Sequence, residues 1–152
     1  AAVTGKMKVS ESIGYIAAQC IGAIAAAAAI KVAVPAGVLT AVGMGTPALG
    51  EGITVTQGIF MEIVLTFFLV FVIFGSAMDK RAPAMGGLFI GLTVALDIMC
   101  GGPISGAAMN PARHLGPALL GGGLGHVWLY WVGPIIGAVL AGLIYVNVLE
   151  EK

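Results

Sequence analysis

The sequence predicts an all-α membrane protein in which one short helix re-enters the bilayer. Three observations lead there. Hydrophobic residues make up 59% of the chain and charged residues 9%, which excludes an ordinary soluble domain, where about a quarter of residues are charged. The apolar residues gather into four runs, each close to the roughly 20 residues of helix that cross a hydrocarbon core. Between the last two runs, the stretch from Gly101 to Pro117 carries a helix-start signal inside an otherwise apolar chain. The formal net charge is zero, so nothing in the charge suggests a nucleic-acid partner.

The four runs cover roughly Ser12 to Val34, Gly58 to Ala77, Ala84 to Cys100 and Val127 to Leu149. The third is short and spans only if its end runs into a loop at Gly101-Gly102. The connection from Pro35 to Gln57 is rich in Gly, Thr and Pro, with Glu51 as its only charge. It reads as a vestibule loop rather than a domain. Cys20 and Cys100 have no nearby Cys or His partner and read as small packing residues rather than a disulfide or metal site. Gly133, Gly137 and Ala141 form one four-residue row, and Gly87, Gly91 and Ala95 another. Small residues at this spacing let helices approach closely in lipid. No nucleophile–base pair or metal cluster suggests an enzyme.

Lys and Arg in the short connections set the orientation. Lys6 and Lys8 precede the first run, Lys80 and Arg81 separate the second from the third, and Lys152 ends the chain. All fall on one side of four successive spans, and only Lys31 sits near the other. The positive-inside rule makes the first group cytoplasmic, so the Arg113 loop opens to the outside.

Asn110-Pro111 is the helix start. Asn is a favoured N-cap, and Pro fits the first helical position, where no N–H is needed. Gly116-Pro117 is expected to weaken or stop this helix after about two turns. The helix N-terminus carries unpaired N–H groups and partial positive charge, and irregular backbone at membrane depth is tolerated only inside protein or along a water-filled cavity. The segment is therefore a candidate pore lining with Arg113 directed into the cavity. An extramembrane loop with a capped surface helix is the alternative. Against it stands the arginine beside a helix N-terminus, which needs a compensating acceptor. Glu62 and Asp97 lie inside apolar runs and must face protein rather than lipid. Either a proton relay or a structural acceptor accommodates them, with Asp97 placed to cap or brace Gly101-Gly102.

An internal repeat is visible when Tyr15 is set on Tyr130. Ile21, Gly22, Ala23 and Ala26 then fall on Ile136, Gly137, Ala138 and Ala141. The first and last runs thus read as equivalent helices in two halves of one fold. By the same offset, a first-half counterpart of Asn110 lies upstream of Ala1, so the chain is expected to begin after the first half-helix.

Ser105-Gly106-Ala107-Ala108-Met109-Asn110-Pro111-Ala112-Arg113, with Gly133-Pro134 and Gly45-Thr46-Pro47-Ala48-Leu49-Gly50, resembles the second Asn-Pro-Ala box and its surroundings in the aquaporins (major intrinsic proteins). The resemblance covers nearly the whole chain. It implies an aquaporin-like right-handed helix bundle with a re-entrant half-helix loop and four of six transmembrane helices. Residues 1–152 would then be the third to sixth helices and the second pore loop, without the first two helices and the first pore loop. Ala2-Val3-Thr4 is similar to the end of a first box, but its spacing to Tyr15 is too short.

The same resemblance implies roles for individual residues. Asn110, Pro111 and Ala112 are the pore motif. Arg113, Ile98 and Ala107 are three of the four filter positions. Glu62 matches the buried glutamate that braces the pore loop. Ala118, Tyr130 and Trp131 match a small residue and an aromatic pair that lie farther inward. His114 departs from the usual small residue and is expected as a vestibule hydrogen-bonder or a pH-sensitive group, while His126 is expected as an interface residue. The implied activity is passive passage of water and small uncharged solutes such as glycerol, ammonia or urea. It needs no cofactor and takes place in a lipid bilayer through a homotetramer. A dedicated glycerol facilitator is the rival within the class, with Ala118 and Tyr130-Trp131 against it. A non-conducting structural or adhesion protein is the rival outside it.

Overall fold

A computed structural model describes residues 1–150. Lys152, used above for orientation, lies outside the described residues. The helices are α1 (Val9–Ala33), α2 (Ala36–Ala41), α3 (Val55–Ile73), α4 (Gly86–Ser105), α5 (Pro111–Gly121) and α6 (Leu129–Ile144). Single wide turns of π geometry, Phe74–Met78 and Tyr145–Leu149, extend α3 and α6. No strand occurs among the described residues. Four helical segments, Val9–Ala33, Val55–Met78, Gly86–Ser105 and Leu129–Leu149, are long and apolar enough to cross a membrane.

Local chemistry explains where the boundaries differ from the sequence reading. α3 starts three residues before Gly58 because Thr54 and Gln57 form a capping box: the Gln57 N–H donates to Thr54 Oγ1 at 3.3 Å, and the Thr54 N–H donates to Gln57 Oε1 at 2.8 Å. α4 does not open into a loop at Gly101-Gly102. It continues through Pro103 to Ser105 and ends in left-handed Gly106, whose N–H donates to the Gly102 carbonyl at 3.0 Å. Gly101 lets α3 approach the helix there, since a Cβ would come within 2.3 Å of Leu65 Cδ1. α5 likewise runs through Gly116-Pro117 to Gly121. Gly116 lets the helix seat on α1, where a Cβ would meet the Ala23 carbonyl oxygen at 2.4 Å. Lys31 Nζ then caps the end by donating to the Leu120 carbonyl at 3.1 Å.

Three helix pairs organise the bundle: α3 with α6, α1 with α5, and α3 with α4. α6 lies on α3 along the Gly133–Gly137 row. A Cβ at Gly133 would stand 2.8 Å from Glu62 Cβ, and one at Gly137 would stand 2.3 Å from the Ile63 carbonyl oxygen. The row of Gly87 and Gly91 differs, since a Cβ at either meets nothing within 4 Å among the described residues. The second pair is α5 against α1, held by the Gly116 contact.

The connection from α3 to α4 is tied to the end of α6. Asp79 Oδ1 accepts from the Arg81 backbone N–H at 2.8 Å and from Arg81 Nε at 3.0 Å; Asp79 Oδ2 accepts from the Tyr145 hydroxyl at 2.8 Å. Arg81 also donates to the Leu149 carbonyl at 2.7 Å, and Lys6 pairs with Glu150. The Arg81 side chain and backbone, with the Tyr145 hydroxyl, hold the Asp79 carboxyl well below the usual carboxylate range. Lys6 and Arg81 therefore share one end of the bundle with the end of α6.

Candidate pore loop and half-helix

The candidate site lies between α4 and α5. Gly106 turns the chain out of α4, and a Cβ there would stand 2.6 Å from Pro47 Cα, so the segment around Pro47 packs directly on the turn. Ala107 and Met109 both take positive φ, 47° and 52°. This is a costly conformation for a residue with a Cβ, which surrounding structure must hold in place.

That hold comes from α3. Glu62 is fully buried. Its Oε1 accepts from the Ala108 N–H at 2.9 Å and from Ser105 Oγ at 2.7 Å, and its Oε2 accepts from the Met109 N–H at 2.7 Å. Ser105 Oγ in turn accepts from the Ala107 N–H at 3.3 Å. Three successive backbone N–H groups that face no helix or sheet partner are thereby satisfied by one carboxylate and one hydroxyl. The Tyr130 hydroxyl donates to the Ser105 carbonyl at 2.8 Å, which brings α6 into the same network. Leu65 packs with Ala107 and Met109 on one side, and Leu129 and Tyr130 pack with Ala108 on the other.

Asn110 follows in extended conformation and caps α5, its Oδ1 accepting from the Ala112 N–H at 2.9 Å. Its Nδ2 donates to Gln19 Oε1 of α1 at 3.2 Å. Pro111 occupies the first helical position. Asn110 and Pro111, with Gln19, Cys20 and Trp131, line a cavity of about 200 Å³. Arg113 Nη1 donates to the Gly45 carbonyl at 3.0 Å, the acceptor that a cation near a helix N-terminus requires. Arg113 borders a second cavity, of about 320 Å³, shared with Ala23, Ala27, Met44 and Pro117.

The other residues singled out from the sequence scatter. Ile98 is 49% exposed on α4, and Ala107 is buried. Ala118 is fully buried in the second half of α5. His114 differs most from expectation. It is not in a vestibule: it is fully buried, its ring stacks on Tyr130 at 4.0 Å and 14°, and neither ring nitrogen has a hydrogen-bond partner among the described residues. Asp97 does not brace Gly101-Gly102, which are helical, and its Oδ2 is buried without a partner among the described residues. Cys100 is exposed and Cys20 half-buried. His126 is exposed in a short turn, Leu124–His126, before α6 begins.

Three contributors escaped the sequence reading. Gln19 had a usable signal, as an amide inside an apolar run, where polar side chains seek partners on other helices. Ser105 and the Gly45 carbonyl gave none, because their parts depend on what the fold brings to them.

Comparison with known proteins places this geometry. The family profile described as "Major intrinsic protein" matches residues 1–145. The chain is 43% identical to Aquaporin TIP4-4 of Zea mays over 148 residues, covering 95% of this chain and 56% of that protein. It is also 43% identical to Aquaporin-4 of Homo sapiens over 144 residues, covering 93% and 44% respectively. Among solved structures, the X-ray structure of the aquaglyceroporin from Plasmodium falciparum superposes with a TM-score of 0.78 at 20% identity, over 97% of this chain and 68% of that one, a likeness of fold. The chain spans about half the length of the curated relatives it matches. It is an integral, multi-pass membrane protein and belongs to the major intrinsic protein family.

Proposed function

We propose that this chain supplies the third to sixth spans and the second pore loop of a passive channel for water and small uncharged solutes. The observation that carries the reading is the short helix α5, started by Asn110 and Pro111 on a loop hung from buried Glu62. A solute passing Asn110 meets one amide hydrogen. Oδ1 is committed to Ala112 and one Nδ2 hydrogen to Gln19, which leaves the other to donate to a solute oxygen. The positive end of α5 turns a water's oxygen toward itself. A water held that way donates in both directions and interrupts a proton relay along the file. Arg113 keeps donors beyond the one spent on Gly45 and repels cations.

Ile98 and Ala107 make the filter wall apolar, which suits solutes with a carbon-bearing edge, glycerol, ammonia or urea among them. No chemical transformation is involved, so the channel is not an enzyme. It works in a lipid bilayer as a homotetramer, with the Lys80-Arg81 connection on the cytoplasmic side and the Arg113 loop opening outward. Stopped-flow light scattering on proteoliposomes holding the full-length protein is the test. Fast water flux with a low activation energy is expected, and flux no faster than through empty vesicles would refute the reading.

A further inference from the structure

His114 is the buried group that the proposed pore leaves unused. Its side chain has no solvent exposure, yet neither Nδ1 nor Nε2 has a hydrogen-bond partner among the described residues. A neutral imidazole has one donor and one acceptor, and a buried polar atom left unmatched is costly. A phenyl ring would give the same stack on Tyr130 at no such cost. What a phenyl ring cannot do is gain a proton.

We propose that His114 is an acid-operated catch on the turn that carries Arg113. The inference rests on the channel reading above and adds a control to it. In neutral form the ring lies flat on Tyr130, 4.0 Å away and nearly parallel, and Tyr130 is fastened to the Ser105 carbonyl of the pore loop. The stack therefore ties the first turn of α5 to the network that shapes the loop. Protonation turns both ring nitrogens into donors and puts a full charge on a fully buried ring. No described neighbour accepts a hydrogen bond from either nitrogen in the stacked arrangement. On α5, Arg113 is adjacent and positive, and the N-terminal end of the helix is positive as well. On α6, Tyr130 lies face-on to the imidazole, so the in-plane N–H groups of His114 do not point at its hydroxyl, whose hydrogen goes to the Ser105 carbonyl. On α3, the Glu62 carboxylate is held by Ser105, Ala108 and Met109 and makes no hydrogen bond to His114, so its charge acts only from a distance. The segment 43–50 that packs on α5 has no titratable side chain, and the turn Leu124–His126, which also packs on α5, brings only the exposed His126. On α1, Cys20 lines the cavity around Asn110, and Lys31 is positive and bound at the far end of α5.

The imidazolium reaches an acceptor only by leaving the stack, and the Arg113 turn moves with it. The sign follows from linkage. The open arrangement binds the proton as a free imidazole does, below a pH of about 6.5, and the stacked arrangement resists it. Each pH unit below that point therefore favours the unstacked form by up to about tenfold.

The experiment measures water flux in proteoliposomes of the full-length protein between pH 7.5 and 4.5 and back, for the parent and His114→Phe. The parent should conduct at pH 7.5, lose flux several-fold by pH 4.5 and recover on return, while His114→Phe keeps its flux throughout. A parent with a flat profile, or a Phe variant that loses flux as the parent does, overturns the proposal. Amide hydrogen exchange of the parent covers the case of a variant that does not fold. Amides 112–116 should lose protection on acidification relative to those of α3, corrected for intrinsic rates, and unchanged relative protection overturns the proposal equally. Absence of flux at pH 7.5 would sink the channel reading instead, and the exchange measurement would still decide on His114.

Discussion

Replacing Glu62 tests the construction of the pore loop most directly. Glu62→Leu removes both carboxylate oxygens and strands the N–H groups of Ala108 and Met109, which donate at 2.9 and 2.7 Å. A buried donor without a partner costs about 1–3 kcal/mol, so two cost about 2–6 kcal/mol. Ser105 Oγ also loses its acceptor, but a hydroxyl can rotate toward another one, and we leave it out of the sum. The positive-φ residues Ala107 and Met109 add to the drive to rearrange, at about 1–3 kcal/mol each for such conformations. The charge removed had itself been costly to bury, which offsets part of the loss. Glu62→Gln keeps one oxygen and sets an NH2 against the other amide, so it retains one of the two bonds. The expected order in thermal stability and in proteoliposome water flux is parent, then Gln, then Leu, with the Leu variant losing most of its flux. A Leu variant that conducts and melts like the parent would show that Glu62 is no brace.

Three further substitutions probe other parts of the structure. Arg113→Val removes the guanidinium held by the Gly45 carbonyl and should admit protons, cations and larger solutes, followed as leak of a trapped pH dye and as solute cut-off; unchanged values would place Arg113 outside the filter. Ile98→His adds a donor that water can use and a carbon backbone cannot, so it should lower glycerol or urea permeability more than water permeability in the same vesicles, and an unchanged ratio would put Ile98 outside the pore wall. Gly137→Val would force a side chain into the 2.3 Å left beside the Ile63 carbonyl, separating α6 from α3 at a cost above the roughly 1–3 kcal/mol of ordinary overpacking. Its melting temperature should fall by many degrees, whereas Gly91→Val, where an added Cβ would meet nothing within 4 Å among the described residues, should not change it.

What the residues disclosed and what they hid divide along physical lines. Four spans follow from composition and run length, since a bilayer admits few other solutions for such a chain. The start of α5 at Asn110-Pro111 was legible because an N-cap is a local matter of one side chain and the amides two and three residues on. That a carboxylate at position 62 must face protein also follows from the cost of charge in lipid. The two helix ends misread at Gly101-Gly102 and Gly116-Pro117 show the limit of local rules. Glycine and proline weaken an isolated helix, but here glycine is what allows Leu65 and the Ala23 carbonyl to approach, and the backbone stays helical through both.

The sequence by itself determined the class of the protein, the four helices in this chain that are long and apolar enough to cross a membrane, and the start of the short helix α5. Those depend on solvent transfer and on hydrogen bonds between near neighbours in the chain. Only the tertiary structure decided that Glu62 carries the amides of Ala108 and Met109, that Gln19 takes one hydrogen of Asn110, and that His114 lies unmatched against Tyr130. Each of these joins residues at least 16 positions apart, and which atoms meet across such a separation is set by how the helices cross rather than by any spacing within one of them.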